Sequence, residues 1–225
     1  EETHKKKIIF HPKMLPQIAI LDPSLTINLP KGITAGTGMD ALAHCIEAYS
    51  SPFYHPMAEG TAVEGLRLVK ENIQEVYHNG TNIEARAHML VASMMGAAAF
   101  QKGLGAIHSI THPVNSLYHT HHGTTNGTVM PFVLNFNREM IEKKFDRLAK
   151  FLNIPNGFEG IVNWVIDLKK EMEIPETLKD MGVNIGDEVK LAPLAQEDPS
   201  TGGNPLEMDE NKFEKLIGNC IEGKY

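Results

Sequence analysis

The sequence predicts a mainly α, multi-helical domain preceded by a short β-hairpin, and three observations carry that expectation. From Thr34 onward apolar residues recur at helical spacing, as in Ala62, Leu66, Val69, Ile73 and Val76. β-Branched residues gather instead near the N-terminus, in Lys5 to Phe10 and Gln17 to Leu21, joined across a loop containing Pro12 and Pro16. Breakers at Asp22-Pro23-Ser24 and Leu29-Pro30-Lys31-Gly32 separate the two regions, so the expected units are residues 1–30 and 31–225. Two strands alone are marginal in water, so the first unit calls for a larger sheet.

The helices follow in order. The first is expected from about Gly38 to Ser50, after the small residues Thr34 to Thr37, and ends before Pro52. Pro56 opens the second, which stops at Asn79-Gly80, and Asn82 is placed to cap a third rich in Ala, Gly and Met. The histidine-rich stretch Leu104 to Gly123 comes next, with helical spacing at His108 and His112. Thr124 to Asn135 holds Pro131, which marks either a kink or a helix start. Glu139 to Leu152 and Gly157 to Met172 read as amphipathic helices, the latter with the single tryptophan, Trp164, as a core or interface anchor. A short helix over Asp187 to Leu194, a loop over Pro199 to Pro205 and a terminal helix capped by Asp209 complete the chain.

Composition narrows the function. Twenty-one basic against twenty-eight acidic residues give a net charge of −7, which argues against a nucleic-acid surface as the main business of the chain. The two cysteines, Cys45 and Cys220, are too few for a secreted disulfide framework and fit a reducing compartment, with cytoplasm the expected location. No targeting signal is visible, and the longest apolar run, Met89 to Phe100, falls short of the roughly 20 residues a membrane helix needs. The chain opens on Glu1 without an initiator Met, and the expectation is that it begins inside a longer protein.

Five of the eleven histidines fall between Leu104 and Gly123. His108 and His112 stand four apart, as do Asp40 and His44 in an apolar helical run, and residues at that spacing share a helix face. A carboxylate in so apolar a helix needs a charge partner, which a cation supplies. Spacing alone places two ligands on each helix and does not choose among His119, His121 and His122 for another. Imidazoles with one carboxylate suit Fe(II) or Zn(II) rather than Ca(II) or Mg(II).

Four stretches then carry a resemblance: Gly38-Met-Asp-Ala-Leu-Ala-His-Cys-Ile-Glu-Ala-Tyr49, Gly103-Leu-Gly-Ala-Ile-His-Ser-Ile-Thr-His-Pro113, Tyr118-His-Thr-His-His-Gly123 and Asp198-Pro-Ser-Thr-Gly-Gly-Asn-Pro205. In order and spacing, from about Lys6 to the end, the chain resembles the iron-containing (group III) alcohol dehydrogenase family. The resemblance implies a helical metal-binding domain of the dehydroquinate synthase-like type, with residues 1–30 as the tail of an α/β dinucleotide-binding domain otherwise absent from this chain. It implies Asp40, His44, His108 and His122 as ligands of Fe(II), with Zn(II) an alternative. It places His112 near the substrate as a proton carrier, and Lys6 as the residue reaching NAD or NADP, with Lys5 and Lys7 close by. His119 and His121 are left outside the ligand shell.

The reaction so implied is hydride transfer between a small alcohol or aldehyde and NAD(P). A homo-oligomer, at least a dimer, is implied as well. Phe53, Phe100, Leu104 and Phe132 are the expected pocket lining. The family's Gly-rich dinucleotide turn is absent from the sequence, so this chain by itself is expected to bind metal and to reduce nothing. Two rivals stand beside this reading. One is a glycerol dehydrogenase or dehydroquinate synthase relative, whose ligand set is one acid and two histidines; the other is a non-catalytic helical metal-binding domain.

Overall fold

A computed structural model describes residues 11–225. Nine α-helices hold most of them: α1 (Lys31–Ser50), α2 (Pro56–His78), α3 (Ile83–Ala99), α4 (Ala106–Tyr118), α5 (His122–Phe136), α6 (Arg138–Phe151), α7 (Gly157–Glu171), α8 (Glu188–Gln196) and α9 (Glu210–Glu222). Helix α1 is the axis of the domain. It packs on α2 and α3 on one side and α5 on the other, while α4 packs on α5 and α8, α6 on α7, and α8 on α9. Fourteen of its twenty residues are buried, including Met39, Leu42, Cys45 and Ile46, so it is apolar nearly all round, as a central helix must be.

Helix α1 begins seven residues earlier than its spacing suggests, because Gly32, Gly36 and Gly38 continue the helix instead of breaking it. The reason is close approach. A Cβ on Gly36 would lie 2.6 Å from the His121 ring, and one on Gly38 would lie 2.9 Å from Ile73. At the other end Lys102, fully buried, caps the helix by donating from Nζ to the carbonyls of Ala48 (3.1 Å) and Ser51 (2.7 Å). Its charge is met by Glu59 at 2.9 Å, which also pairs with Lys144 at 2.7 Å and so ties α1 to α2 and α6.

Several expected signals hold. Asn82 accepts from Ala85 N at 3.1 Å and caps α3; Asp209 accepts from Lys212 N at 2.8 Å and caps α9. Pro131 neither starts nor ends a helix, since α5 runs through it from His122 to Phe136. The loop over Pro199 to Pro205 holds a 3-10 turn, Pro199–Gly203, opened by Asp198. Trp164 is half-buried against the core.

The N-terminal β-hairpin is not found. Its first strand and Lys6 lie outside the described residues, and among the described residues there is no strand. Gln17 to Leu21 runs as irregular chain with Ile18 79% and Ile20 85% exposed. Nothing described offers a ladder partner, and a lone β-branched segment does not form a strand without one. No single helix among the described residues is long and apolar enough to cross a membrane.

Candidate metal centre

Three helices each bring a polar pair at helical spacing to one point. On α1 these are Asp40 and His44, with Glu47 one turn further; on α4, His108 and His112, with Asn115 one turn further; on α5, His122 and Asn126. Asp40, His44 and His108 offer ligand atoms that all lie within 4.8 Å of one another. The Nε2 atoms of His122, His108 and His44 stand 3.4, 3.7 and 3.8 Å from Asp40 Oδ1. These separations exceed a good hydrogen bond. Each is close to the roughly 3.4 Å between two ligands held about 2.1 Å from one tetrahedral ion, and His122 approaches Asp40 while lying outside the group of three whose ligand atoms are all within 4.8 Å of one another.

The far side of the rings fixes which nitrogen faces inward. His108 donates from Nδ1 to Glu47 Oε2 at 2.6 Å, and His122 Nδ1 meets Asn115 Oδ1 at 3.0 Å. With the proton held at Nδ1, Nε2 keeps a lone pair for a metal, the arrangement by which second partners orient histidine ligands. Nδ1 of His44 is buried with no hydrogen-bond partner among the described residues. The His44 ring is set instead by stacking on His108, 4.8 Å between centroids, and by Phe100 at 5.1 Å. A carboxylate ringed by three imidazole nitrogens, two of them tautomerically committed, fits a borderline divalent cation.

Charge at the site follows from this packing. Burial by itself raises the Asp40 carboxyl, but His108, His122 and His44 beside it outweigh burial and hold it well below the usual carboxylate range. Burial pushes His44 down to about 4, so it is neutral at pH 7. Burial pushes His108 down too, yet Glu47 and Asp40 on either side win and raise it to about 9. The cation-free His108 is therefore held towards its protonated form, and a cation would replace the proton on Nε2 while the one on Nδ1 stays with Glu47.

Helix α4 is held in place from afar. Its first amides are satisfied by Asn204 Oδ1, 3.1 Å from Ala106 N, and by Glu47 Oε1, 2.7 Å from Ile107 N. The Asp198–Pro205 segment lies along one face of the helix: Asn204 on Ala106, Thr201 Oγ1 on Ser109 Oγ at 2.8 Å, and Asp198 Oδ2 accepting from His112 Nδ1 at 2.8 Å. His112 stacks on His122 with centroids 5.5 Å apart, so it stands beside the ligand set. Burial raises the Asp198 carboxyl, but the bond from His112 prevails and its pKa is lowered.

The structure thus brings Asp40, His44, His108, His112 and His122 together, while His119 and His121 are exposed. His119 ends α4 in a left-handed conformation, and His121 Nδ1 caps α5 by accepting from Thr124 N at 3.3 Å. Of the expected pocket residues, Phe100 touches His44. Phe132 is instead 2% exposed and stacked on Tyr225 at 4.4 Å, and Phe53 is 55% exposed. Glu47, Asn115 and Asn126 carried no role in the sequence reading. Their signal was there: Glu47 and Asn126 each stand one turn beyond a candidate ligand, and Asn115 one turn beyond His112. A cavity of about 280 Å³ between α1, α2 and α3 is lined by Leu29, Ala41, Val76, Met89 and Leu90 and by none of the ligand residues.

Residues 34–221 match the Fe-containing alcohol dehydrogenase family, C-terminal. The chain belongs to that family. Among its relatives, the 4-hydroxybutyrate dehydrogenase of Cupriavidus necator is 38% identical over 222 residues, which are 94% of this chain and 58% of that protein. The NAD-dependent methanol dehydrogenase of Bacillus methanolicus is 34% identical over 224 residues, 96% of this chain and 59% of its own. Among solved structures a 1,3-propanediol oxidoreductase superposes with a TM-score of 0.85 at 31% identity, covering 89% of this chain and 55% of that one. The chain therefore spans somewhat over half the length of the family members it matches.

Proposed function

We propose that this chain supplies the cation- and substrate-binding half of an NAD(P)-dependent alcohol dehydrogenase or aldehyde reductase, with residues 31–225 as that half. The observation that carries the reading is the convergence of three imidazole Nε2 atoms on Asp40 Oδ1 at 3.4 to 3.8 Å. Asp40, His44, His108 and His122 would hold the cation, Fe(II) or Zn(II). When bound, it supplies Lewis acidity, polarising the substrate oxygen and favouring loss of the alcohol proton. The names of family relatives, which include dehydrogenases of methanol and 4-hydroxybutyrate, support the class of reaction.

The rest falls to side chains. Asp198 accepts from Nδ1 of His112 and orients the ring, which would take the alcohol proton and pass it on. Glu47 and Asn115 keep His108 and His122 in the tautomer that leaves Nε2 unprotonated. Phe100, against His44, excludes water on that side. Lys6 would reach the NAD or NADP held by a dinucleotide-binding half, and the working enzyme is a homo-oligomer located in the cytoplasm. Such a site binds Zn(II) more tightly than Fe(II), so the ion recovered reflects supply as well as affinity.

The test is elemental analysis after anaerobic purification, joined to a rate assay. One divalent ion per chain is expected, lost in Asp40→Ala. In a protein that also carries the dinucleotide-binding half, alcohol-dependent NAD(P)H formation is expected to vanish with a chelator and with His122→Ala. A rate that survives both defeats the reading.

A further inference from the structure

Asn126 lies one turn beyond His122 on α5, is fully buried, and places its carboxamide among the donor atoms of the candidate cation site. Nδ2 donates to Asp40 Oδ1 at 2.7 Å and lies 3.2 Å from His108 Nε2 and 3.3 Å from His122 Nε2. Its other atom, Oδ1, is buried with no hydrogen-bond partner among the described residues. A buried amide oxygen without a partner is rare, and in a native site it calls for a reason.

Two physical points supply one. The separations of 2.7 to 3.3 Å are hydrogen-bonding distances to the same donor atoms that would surround an ion, and they exceed the about 2.0–2.2 Å from an ion to its ligand. The end of the carboxamide therefore lies against three of the candidate donor atoms, within reach of an ion that they would hold. Its orientation, moreover, is the one that a cation-free site demands. Facing the Asp40 carboxylate, the NH2 end is attracted and the oxygen end would be repelled. A divalent charge inside the ligand set reverses that preference, because the carbonyl end of an amide is its negative end.

The geometry points to Asn126 as an additional residue of the cation site, its carboxamide turning when a cation binds so that the orphaned Oδ1 becomes an oxygen ligand. This rests on the reading that Asp40, His44, His108 and His122 hold a divalent cation. Before loading, the amide braces Asp40 next to the imidazoles; after loading, rotation about one side-chain bond exchanges donor for acceptor. No backbone movement is needed, since α5 already sets both His122 and Asn126 at the site.

The test is calorimetric titration of the 225-residue chain with Zn(II), with circular dichroism of each variant as a control on folding, and a crystal structure of the Zn(II)-loaded chain. Asn126→Ala is expected to bind about 10- to 100-fold more weakly, the loss typical of removing a residue that supports a metal site. Asn126→Asp, which has nearly the same shape and keeps an oxygen, is expected to bind at least as tightly as the parent. In the loaded crystal one carboxamide atom should lie about 2.0–2.4 Å from the ion. Asn126→Ala binding within twofold of the parent, Asn126→Asp weakened as much as Asn126→Ala, or a carboxamide still donating to Asp40 in the loaded crystal each overturns the inference. If the parent chain binds no Zn(II), the four-ligand reading falls and takes this one with it; parent binding with an unaffected Asn126→Ala removes this one alone.

Discussion

His108 sits between two carboxylates, Glu47 at 2.6 Å from Nδ1 and Asp40 at 3.7 Å from Nε2, and this ring gives the centre a pH response above neutrality. Its pKa in the cation-free chain is raised to about 9 from an ordinary 6.5. A cation must displace that proton, so cation affinity is expected to rise up to about tenfold per pH unit as pH climbs toward 9, read by calorimetry in a non-chelating buffer. The effect on folding runs the other way. A pKa raised on folding contributes stability that is fully present below 6.5 and is lost as pH rises through about 9, so the cation-free chain should melt lower across that window. Glu47→Gln is expected to abolish most of this pH dependence and to weaken cation binding about 10- to 100-fold, because the carboxylate that fixes the His108 tautomer is gone. At this scale the candidate cluster was legible because i, i+4 spacing marks a shared helix face. Spacing did not separate His108 from His112, which look alike on α4. What distinguishes them is Glu47 for the first and Asp198 for the second, partners 61 and 86 positions away in sequence.

Among the elements, the α1–α5 contact decides whether Asp40 and His122 meet. A Cβ on Gly123 would overlap the carbonyl oxygen of Gly36, so the two helices touch backbone to backbone at that point. Gly123→Ala is expected to push them apart, costing roughly 1–3 kcal/mol of stability, as overpacking does, and lowering cation affinity by separating the ligands. Gly127→Ala, one turn on, is the comparison. The three atoms nearest its Cβ, at 3.1 to 3.2 Å, all belong to the Met39 side chain and none to backbone, so both losses should be smaller. Denaturant melts and Zn(II) titrations of the two variants check this. The same contact explains why the start of α1 was misread. Gly32 and Gly36 look like breakers or linkers in one dimension, whereas Gly36 is there to admit His121. Helices with local caps, such as Asn82 on α3 and Asp209 on α9, were placed well because the cap and the helix it serves are neighbours in sequence. The expected strand at Gln17 to Leu21 failed for the converse reason, since a strand depends on a partner that its own residues do not specify.

Across the whole molecule, the candidate ligands come from α1, α4 and α5, three helices whose contributions are separated by up to 82 positions, and each helix is anchored elsewhere: α1 by Lys102, α4 by Glu47 and the Asp198–Asn204 segment, α5 by its contact with α1. An ion binding Asp40, His44, His108 and His122 therefore links the folded arrangement of all three, and the unfolded chain offers no such set. Binding to the folded state alone stabilises by about 2.7 kcal/mol at a free cation concentration 100 times the dissociation constant. For a chain of this size each kcal/mol moves the midpoint by roughly 2–4 °C, so a rise in Tm of about 5–11 °C is expected on adding Zn(II). Differential scanning calorimetry in matched chelator and Zn(II) buffers measures it. Asp40→Ala should show no such rise, because the carboxylate oxygen on which the three rings converge is missing. His119→Ala, altering an exposed ring outside the set, should keep the whole rise. An equal Zn(II)-induced rise in parent and Asp40→Ala chains would mean that the ion stabilises the fold from somewhere other than the junction of α1, α4 and α5.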